Sequence, residues 1–315
     1  MIVSIGESLI DFVPQQDGAT GTADDRLPPY RPVAGGSPYN CAIAAARLSG
    51  SAGYIGSISN DFFGDFIVNH LTDNRVDTSM VTRVTEPTTL AFVKKSADGS
   101  ARYAFYAQGS ADRALSVEHL PPTLPEGALL QIGSISLIAD PAAASIMHLV
   151  ERETEQRIIV LDPNVRPSVI DNERDYRARI ERAIALVSVV KISDEDLAWL
   201  YPDLAVEAAI ERLLQMGPRL IVMTRGGEGT VAVHASGRLE VPAHKVTVVD
   251  TIGAGDSFMA ALLVWLDEAG MRSAQDIDRL TPDSLDRALQ FATQVSAITC
   301  TRVGADPPRR SELPG

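Results

Sequence analysis

Cysteine is scarce in this 315-residue chain: Cys41 and Cys300 are its only two, and neither belongs to a CxxC pair. The sequence therefore lacks the pattern of a zinc site or of a disulfide framework. No apolar run approaches the ~18 residues that a membrane-spanning helix needs. The N-terminal residues also lack the basic segment of a secretory signal. We expect a cytoplasmic protein with reduced thiols and no membrane partner.

Basic residues are outnumbered, with 28 Lys and Arg against 41 Asp and Glu, which gives a net charge of -13. This balance argues against nucleic acid as a partner. It leaves open an anionic ligand held by backbone amides. The GxxxxGK[ST] motif of P-loop proteins is absent. Residues 227–232 loosely fit the glycine pattern of dinucleotide-binding proteins, but a strand-like segment follows them where an oxidoreductase of that kind needs a helix.

Beyond the first third of the chain, short apolar segments alternate with helical patterns. The apolar segments are 129–135, 158–162, 187–193, 220–224 and 246–250, and the helical ones are 141–154, 174–186, 205–216 and 257–269. This alternation is typical of a parallel sheet covered on both faces. Two strand patterns around Asp98-Gly99 indicate a hairpin. We predict one α/β domain over residues 1–315, with a mostly parallel central sheet, helices on both faces and a small β-sheet lid from about 12–33 and 88–110.

Residues 250–258 read DTIGAGDSF and open an apolar helix directly after one of the predicted strands. Amides at a helix N-terminus are free to bind an anion, and Gly253 and Gly255 let the backbone approach it closely. Asp256 lies beside these amides and can accept a proton from an attacking hydroxyl while phosphate is transferred. The same residues also suit a plain turn in which Asp256 caps the helix.

Two further segments carry polar groups at the ends of predicted elements. Gly35 and Gly36 precede a helix of small residues, and Asn40 offers both donors and acceptors to hydroxyl groups. Arg166 follows a strand in the string DPNVRP and can hold phosphate oxygens by a charge-assisted fork. Each segment by itself also suits an ordinary turn.

The string DTIGAGDSF resembles the second signature of the PfkB (ribokinase-like) sugar-kinase family, DTxGAGDxF, at every fixed position. The resemblance implies a ribokinase-like fold. It also implies that Asp256 is the catalytic base and that the amides of Gly253, Ala254 and Gly255 form an anion hole. Segment 35–40 resembles the family's first signature, and 162–166 resembles the DxNxR element of fructokinases. The residues that the resemblance places around the phosphoryl acceptor are Asp11, Gly35, Gly36, Asn40, Tyr106 and Arg166.

The resemblance extends to the nucleotide and its ions. The residues that it assigns to ATP are Lys191, Ser193, Thr224, Gly226, Gly229 and Thr293. Asp196 stands where the family's NxxE element has Glu and is expected to organise Mg²⁺, with the neighbouring Glu195 as an alternative. A loop that holds K⁺ in many members is matched by Asp250, Ile252, Thr299, Arg302 and Gly304. Relatives often pair through their β lids, so a homodimer of this kind is one option, but the sequence alone leaves the oligomeric state open.

The segment FYAQGSADR, residues 105–113, resembles the lid motif of bacterial fructokinases. Kinases of 2-keto-3-deoxygluconate carry an arginine where this chain has Ala107, so a neutral sugar is favoured. Aromatic residues make up only 5% of the chain, which disfavours a lid that stacks on a nucleoside base. We expect ATP-dependent conversion of fructose to fructose 6-phosphate. The alternatives are ribose, 2-keto-3-deoxygluconate or a nucleoside as acceptor, or a non-catalytic sugar-binding regulator.

Overall fold

The structure is a computed structural model that describes residues 1–15, 29–95 and 101–313. The predicted hairpin turn at Asp98-Gly99 and the central part of the first lid segment, 16–28, lie outside these residues. Within the described ranges, the chain forms two sheets and nine α-helices. None of those helices combines the length and the apolarity needed to cross a bilayer.

A ten-stranded sheet forms the centre of the molecule. Its strands are β1 Ile2–Ile5, β4 Ala52–Ser59, β5 Val76–Asp77, β6 Val81–Val84, β9 Leu129–Gly133, β10 Ile159–Asp162, β11 Val189–Ser193, β12 Leu220–Thr224, β13 Thr230–His234 and β14 Gly237–Val241. The order is β14-β13-β12-β11-β10-β9-β1-β4-β5, with β6 beside β4. All neighbours are parallel except β12–β13 and β13–β14.

Helices cover both faces of this sheet, as the alternating pattern predicts. They are α1 Ser37–Ser49, α2 Phe62–Asp73, α3 Ala142–Glu153, α4 Glu173–Ile184, α5 Asp194–Leu200, α6 Val206–Met216, α7 Ala254–Glu268, α8 Ala274–Ile277 and α9 Pro282–Cys300. Helices α1, α7 and α9 pack in one apolar layer, and α3, α4 and α6 pack in the layer on the opposite face. The predicted α/β fold with a mostly parallel sheet is confirmed.

One predicted strand is wrong: residues 246–250 form none. The central sheet ends at β14, so this apolar segment has no neighbouring strand to pair with. Val248 and Val249 are more than half exposed. The amides of Val249 and Asp250 instead donate to the carbonyl of Cys300, at the end of α9. An apolar run is therefore not enough to make a strand without an edge that can accept it.

A second sheet of four strands lies apart from the first, in the order β3-β2-β7-β8. Its strands are β2 Leu9–Pro14, β3 Tyr30–Gly35, β7 Leu90–Lys95 and β8 Ala101–Tyr106. Asp11, Ala91 and Phe105 are neighbours in register and share one face. We call this sheet the lid. It joins chain segments that lie more than fifty residues apart, and the small β-sheet lid predicted from the sequence is confirmed.

Candidate active site

A cleft of about 670 Å³ opens where the central sheet changes direction. From β1 the chain continues to one side, through β4, whereas β9 lies on the other side and leads to β10. Ligands in α/β sheets bind at such a switch point, beyond the carboxyl ends of the strands. The residues that line the cleft are Glu7, Leu9, Asp11, Gly36, Ser37, Asn40, Phe105, Ser134, Ile135, Asn164, Arg166, Glu195, Val248, Val249, Asp250, Thr251, Ile252, Gly253, Gly255 and Asp256.

Asp256 lies in the first turn of α7 and is buried. Its Oδ1 accepts a hydrogen bond from Ser37 Oγ at 2.6 Å, and its Oδ2 accepts one from Asn40 Nδ2 at 2.9 Å. Burial raises the pKa of Asp256, while these two hydrogen bonds and the charges of Lys191 and Arg166 oppose the rise. The carboxylate is thus a desolvated group, held from two sides, at the floor of the cleft.

The turn before Asp256 requires glycine for backbone reasons. Gly253 has a φ of 76°, in the left-handed region, and a Cβ there would lie 2.9 Å from the Cα of Ala305. A Cβ on Gly255 would lie 3.1 Å from Lys191 Nζ. The ammonium group therefore sits directly behind the turn. Together with the helix N-terminus, it favours an anion at this position.

Lys191 and Asp162 form a buried ion pair across neighbouring strands, with Nζ 2.7 Å from Oδ2. Burial opposes the charge of Lys191, but the carboxylates of Asp162, Asp196 and Asp256 together outweigh it, and the lysine pKa is raised. Burial also raises the pKa of Asp162, against the effect of Lys191. Breaking such a pair leaves an uncompensated buried charge, so the cation is held in place beneath the turn.

The two glycines before α1 are required by close packing. A Cβ on Gly35 would collide with the carboxylate of Asp11, and one on Gly36 would lie 2.5 Å from the carbonyl oxygen of Glu7. The chain of α1 can therefore approach β2 and the end of β1 closely. This brings Asn40 and Asp11 to the same cleft, as the sequence predicts.

Asp11 faces the cleft from the lid. Burial raises its pKa to about 7; the positive charge of Arg166 lowers it and the negative charge of Asp256 adds to it. Arg166 lines the cleft after β10, and its Nη1 donates to the carbonyl of Val165 at 3.0 Å. A carboxyl group and a guanidinium thus face the same space, where hydroxyl or phosphate oxygens can bind them.

Glu7 is a site residue that sequence reasoning missed. It lies two residues after the end of β1 and is 1% exposed. Its Oε1 accepts from the amide of Ser37 at 3.1 Å, and its Oε2 accepts from the amide of Ser136 at 3.2 Å. Burial raises its pKa to about 7 despite these bonds. An acidic residue at the end of an apolar strand was the available signal.

These residues match a known family over nearly the whole chain. A family model described as "pfkB family carbohydrate kinase" matches residues 1–312. The chain belongs to the PfkB family of carbohydrate kinases. It is 36% identical to a fructokinase of Rhizobium leguminosarum bv. trifolii, covering 90% of this chain and 85% of that one. It is 35% identical to fructokinase-1 of Oryza sativa subsp. japonica, over 99% and 95%.

Solved structures agree with this assignment. A fructokinase of Xylella fastidiosa with bound ATP superposes with a TM-score of 0.88 at 31% identity, covering 99% of this chain and 96% of that one. A fructokinase of Vibrio cholerae O395, in a form with bound fructose, ADP and calcium ion, gives a TM-score of 0.84 at 28% identity, over 96% and 94%. Both similarities extend across the central sheet and the lid of this PfkB kinase.

The structure corrects the placement of Tyr106. This side chain is 66% exposed and packs edge-on against Phe92, at 5.7 Å between ring centroids. It does not line the cleft, whereas its neighbour Phe105 does. Successive residues of a strand point to opposite faces, so only one of the two can face the site. The lid motif located the strand but not the side chain that turns inward.

The acidic helix start at α5 presents a different carboxylate from the one expected. Asp196 is buried and its Oδ1 accepts from the amide of Val165 at 2.9 Å. Burial raises its pKa, the nearby Asp162 adds to the rise, and Lys191 opposes it. Glu195, the alternative, lines the cleft. Of these two carboxylates, Glu195 is thus the one that faces the cleft.

Four of the residues assigned to ATP lie at or just after the carboxyl ends of β11 and β12, whereas Thr293 lies on α9. Ser193 caps α5, and Thr224 ends β12. Gly226 and Gly229 have φ angles of 49° and 101° in the turn before β13. Thr293 is buried on α9 and donates to the carbonyl of Leu289. Their contacts here are all within the protein, so their assignment to ATP stays a prediction.

Asp250 connects the two loops expected to hold a monovalent cation. Its Oδ1 accepts from the amide of Ile252 and its Oδ2 from that of Gly304, both at 3.1 Å. Thr299 is buried beside Ser257, whereas the Arg302 guanidinium pairs with the carboxylates of Asp306 and Glu312. Across residues 1–15, 29–95 and 101–313, no group of three or more His, Cys, Asp or Glu side chains has a metal-binding arrangement.

Proposed function

We propose that this protein is an ATP-dependent kinase that phosphorylates fructose on a primary hydroxyl and yields fructose 6-phosphate. The observation that carries the proposal is the position of Asp256. It stands beside the glycine turn of α7, accepts a hydrogen bond from Asn40, and faces a cleft that Asp11 also lines. A general base, an anion-binding turn and polar groups for hydroxyls are the components that phosphoryl transfer to a sugar requires.

In this mechanism, Asp256 accepts the proton of the attacking sugar hydroxyl. The hydroxyl oxygen forms a bond to the γ-phosphorus of ATP while the bond from that phosphorus to the bridging oxygen of ADP breaks. The amides of Gly253, Gly255 and Asp256 and the ammonium of Lys191 stabilise the negative charge on the transferred group, whereas the amide of Ala254 donates to the carbonyl of Thr251. Asp256 ends protonated and returns its proton to solvent when the product leaves.

Sugar binding falls to the lid side of the cleft. Asp11 and Asn40 offer acceptors and donors to ring hydroxyls, and Leu9, Phe105 and Ile135 provide apolar surface. Ala107, in the lid segment, brings no cation that could pair with a carboxylate. An acidic sugar would therefore lose hydration without gaining a partner. Fructose also agrees with the substrate named for the Vibrio cholerae O395 structure.

The ions follow from the donor chemistry. Mg²⁺ prefers carboxylate oxygens and retains several waters, and Glu195 offers such an oxygen in the cleft, with Asp196 behind it. Bound there, it would neutralise phosphate charge. Asp250, Ile252, Thr299 and Gly304 would position K⁺ at the loops beside the glycine turn. Of these, Asp250 already joins the two loops through backbone amides.

We further propose that two copies pair through their lids. The lid face opposite the cleft carries Phe92, which contacts Phe12 on one side and Tyr106 on the other. Tyr106 is mostly exposed there, and aromatic side chains of this kind are common at protein interfaces. Analytical ultracentrifugation tests this pairing. A dimer of the parent protein that Tyr106→Asp weakens would support the proposal. A parent protein that is monomeric at micromolar concentration would contradict it.

The test of the acceptor is a comparison of kcat/KM for fructose, ribose, 2-keto-3-deoxygluconate and adenosine under the same Mg·ATP and K⁺. Fructose should lead by at least about tenfold, which is roughly 1.4 kcal/mol of transition-state binding. A higher kcat/KM for ribose or adenosine would be consistent with a kinase but would contradict fructose as its preferred substrate. A lead for 2-keto-3-deoxygluconate would contradict the argument from Ala107 and direct attention to Arg113. No transfer to any sugar, with ATP bound, would favour a sugar-binding regulator.

A further inference from the structure

Ser37 contacts the carboxylate of Asp256 from a different element of the fold. It is the first residue of α1, its side chain is almost completely buried, and it lines the cleft. Its hydroxyl donates to Asp256 Oδ1 across 2.6 Å, a length typical of a strong bond to an ionised oxygen. A hydroxyl has one proton to donate, and here that proton is directed at the base.

The backbone of Ser37 is itself held in place. Its amide donates to Glu7 Oε1 at 3.1 Å, and the other oxygen of Glu7 accepts from Ser136 at 3.2 Å. Gly36, which precedes it, has a φ of 115° and packs against the Glu7 carbonyl. The hydroxyl therefore reaches Asp256 from a rigid support at the junction of β1 and α1, and not from a mobile surface chain.

The second donor to Asp256, Asn40, differs from Ser37 in one respect. Asn40 can also bind the hydroxyls of an acceptor, because its amide carries two donors and an acceptor. Its contact with Asp256 at 2.9 Å is thus open to exchange when a sugar enters. Ser37 approaches the opposite oxygen, Oδ1, and leaves Oδ2 to the reacting hydroxyl.

We infer that Ser37 is a positioning residue for Asp256. Its hydroxyl fixes the rotamer of the Asp256 carboxylate and favours the ionised form of this base. The inference rests on the proposed role of Asp256 as general base. Among the causes that oppose the raised pKa of Asp256, the hydrogen bond from Ser37 is the largest. Loss of the hydroxyl should therefore raise that pKa and move the carboxylate.

Other groups face Asp256 and act on its pKa as well. Lys191 and Arg166 favour its ionised form, whereas Asp11 and Asp162 oppose it as like charges, and the thiol of Cys41 also lies near. All of them are retained in a Ser37 variant. A change between parent and variant thus reports on the hydroxyl.

The direct test is the pKa of Asp256 in protein labelled with ¹³C at aspartate carboxyls, with the signal assigned by its loss in Asp256→Asn. Ser37→Ala should raise that pKa by about one, since a hydrogen bond to a charged group contributes on this scale. Ser37→Cys keeps the side-chain shape with a weaker donor and should fall between the two. Ser145→Ala, a buried serine on α3, is the matched control and should change nothing.

The kinetic test is the pH profile of kcat/KM, which reports the base of the free enzyme, the form that the carboxyl titration also measures. The base acts when ionised, so a raised pKa moves the acidic limb of the profile to higher pH by about the same amount. A serine with a merely structural role would lower kcat/KM at every pH without moving the limb. Should Ser37→Ala not fold, Ser37→Cys carries both measurements.

The outcomes separate this inference from the proposed function. An Asp256 pKa that stays within about 0.3 of the parent value in both Ser37 variants overturns the role of Ser37, whatever the activity. A parent protein that transfers no phosphate overturns the proposed function, and the labelled carboxyl still reports on Ser37. A shifted pKa together with a shifted acidic limb supports both.

Discussion

Three carboxyl groups around one cleft are desolvated by burial: Glu7, Asp11 and Asp256. Each has its pKa raised chiefly by burial. They differ in their partners: Glu7 accepts backbone amides, Asp11 faces Arg166, and Asp256 accepts two side-chain donors. The chemistry of a residue in this site thus depends on its neighbours more than on its type.

Replacing Asp256 by Asn should lower kcat by about two to four orders of magnitude, the usual scale of general acid–base effects. The affinity for sugar should change little, since Asn keeps the size and polarity of the side chain. Steady-state rates and sugar binding by calorimetry check the two expectations. Asp203→Asn, at an exposed position, serves as the control. A variant with a rate within about threefold of the parent would rule out the base.

Glu7 should give the protein a pH-dependent stability. Burial raises its pKa in the folded protein to about 7, above the ordinary value of 4.5, so the folded state holds the proton over this interval while the unfolded chain has lost it. Its contribution to stability is complete below about pH 4.5 and is lost as pH rises through 7, by an amount on the order of 3 kcal/mol. Urea unfolding of the apoprotein at several pH values should show a steeper fall for the parent than for Glu7→Gln. Parallel curves would contradict this account.

Helix starts and strand ends form the site at the level of elements. The first turns of α1 and α7 meet at Asp256, and β10 and β11 place an ion pair beneath them. The loop before α7 is tied to the turn after α9 through Asp250. The catalytic turn is therefore fixed by several elements, and a loosened loop should affect it from a distance.

Asp250→Asn should reduce the stimulation of activity by K⁺, because the amide cannot accept from Ile252 and Gly304 with both of its side-chain atoms. The rate ratio between K⁺ and tetramethylammonium buffers measures this, with Asp203→Asn as control. Equal rates of the parent in the two buffers would contradict the proposed monovalent-cation site, but they would not contradict the kinase reaction.

At the scale of the whole molecule, nucleotide binding should stabilise the fold. ATP at about one hundred times its Kd adds about 2.7 kcal/mol, which for a protein of this size raises Tm by roughly 4 °C. NAD should leave Tm unchanged, since the glycines at 227–232 open no helix in this chain. Differential scanning calorimetry distinguishes the two. Protection by NAD and none by ATP would contradict the assignment to phosphoryl transfer.

The sequence by itself determined the features of this protein that depend on contiguous residues. The glycine turn with Asp256 and the Gly35-Gly36 pair are short strings whose local geometry follows from their own composition. The alternation of apolar strands and helices likewise predicted a covered parallel sheet, because each element carries its own periodicity.

Only the tertiary structure decided which side chains meet in the cleft. Ser37 and Asp256 lie 219 positions apart in the chain. Strand phase turned Phe105 inward instead of Tyr106, and the first turn of α5 presented Glu195 instead of Asp196. Residues 246–250 remained outside the sheet because β14 already ends it. Side-chain direction and burial depend on register and on neighbours distant in sequence, and no local pattern encodes these.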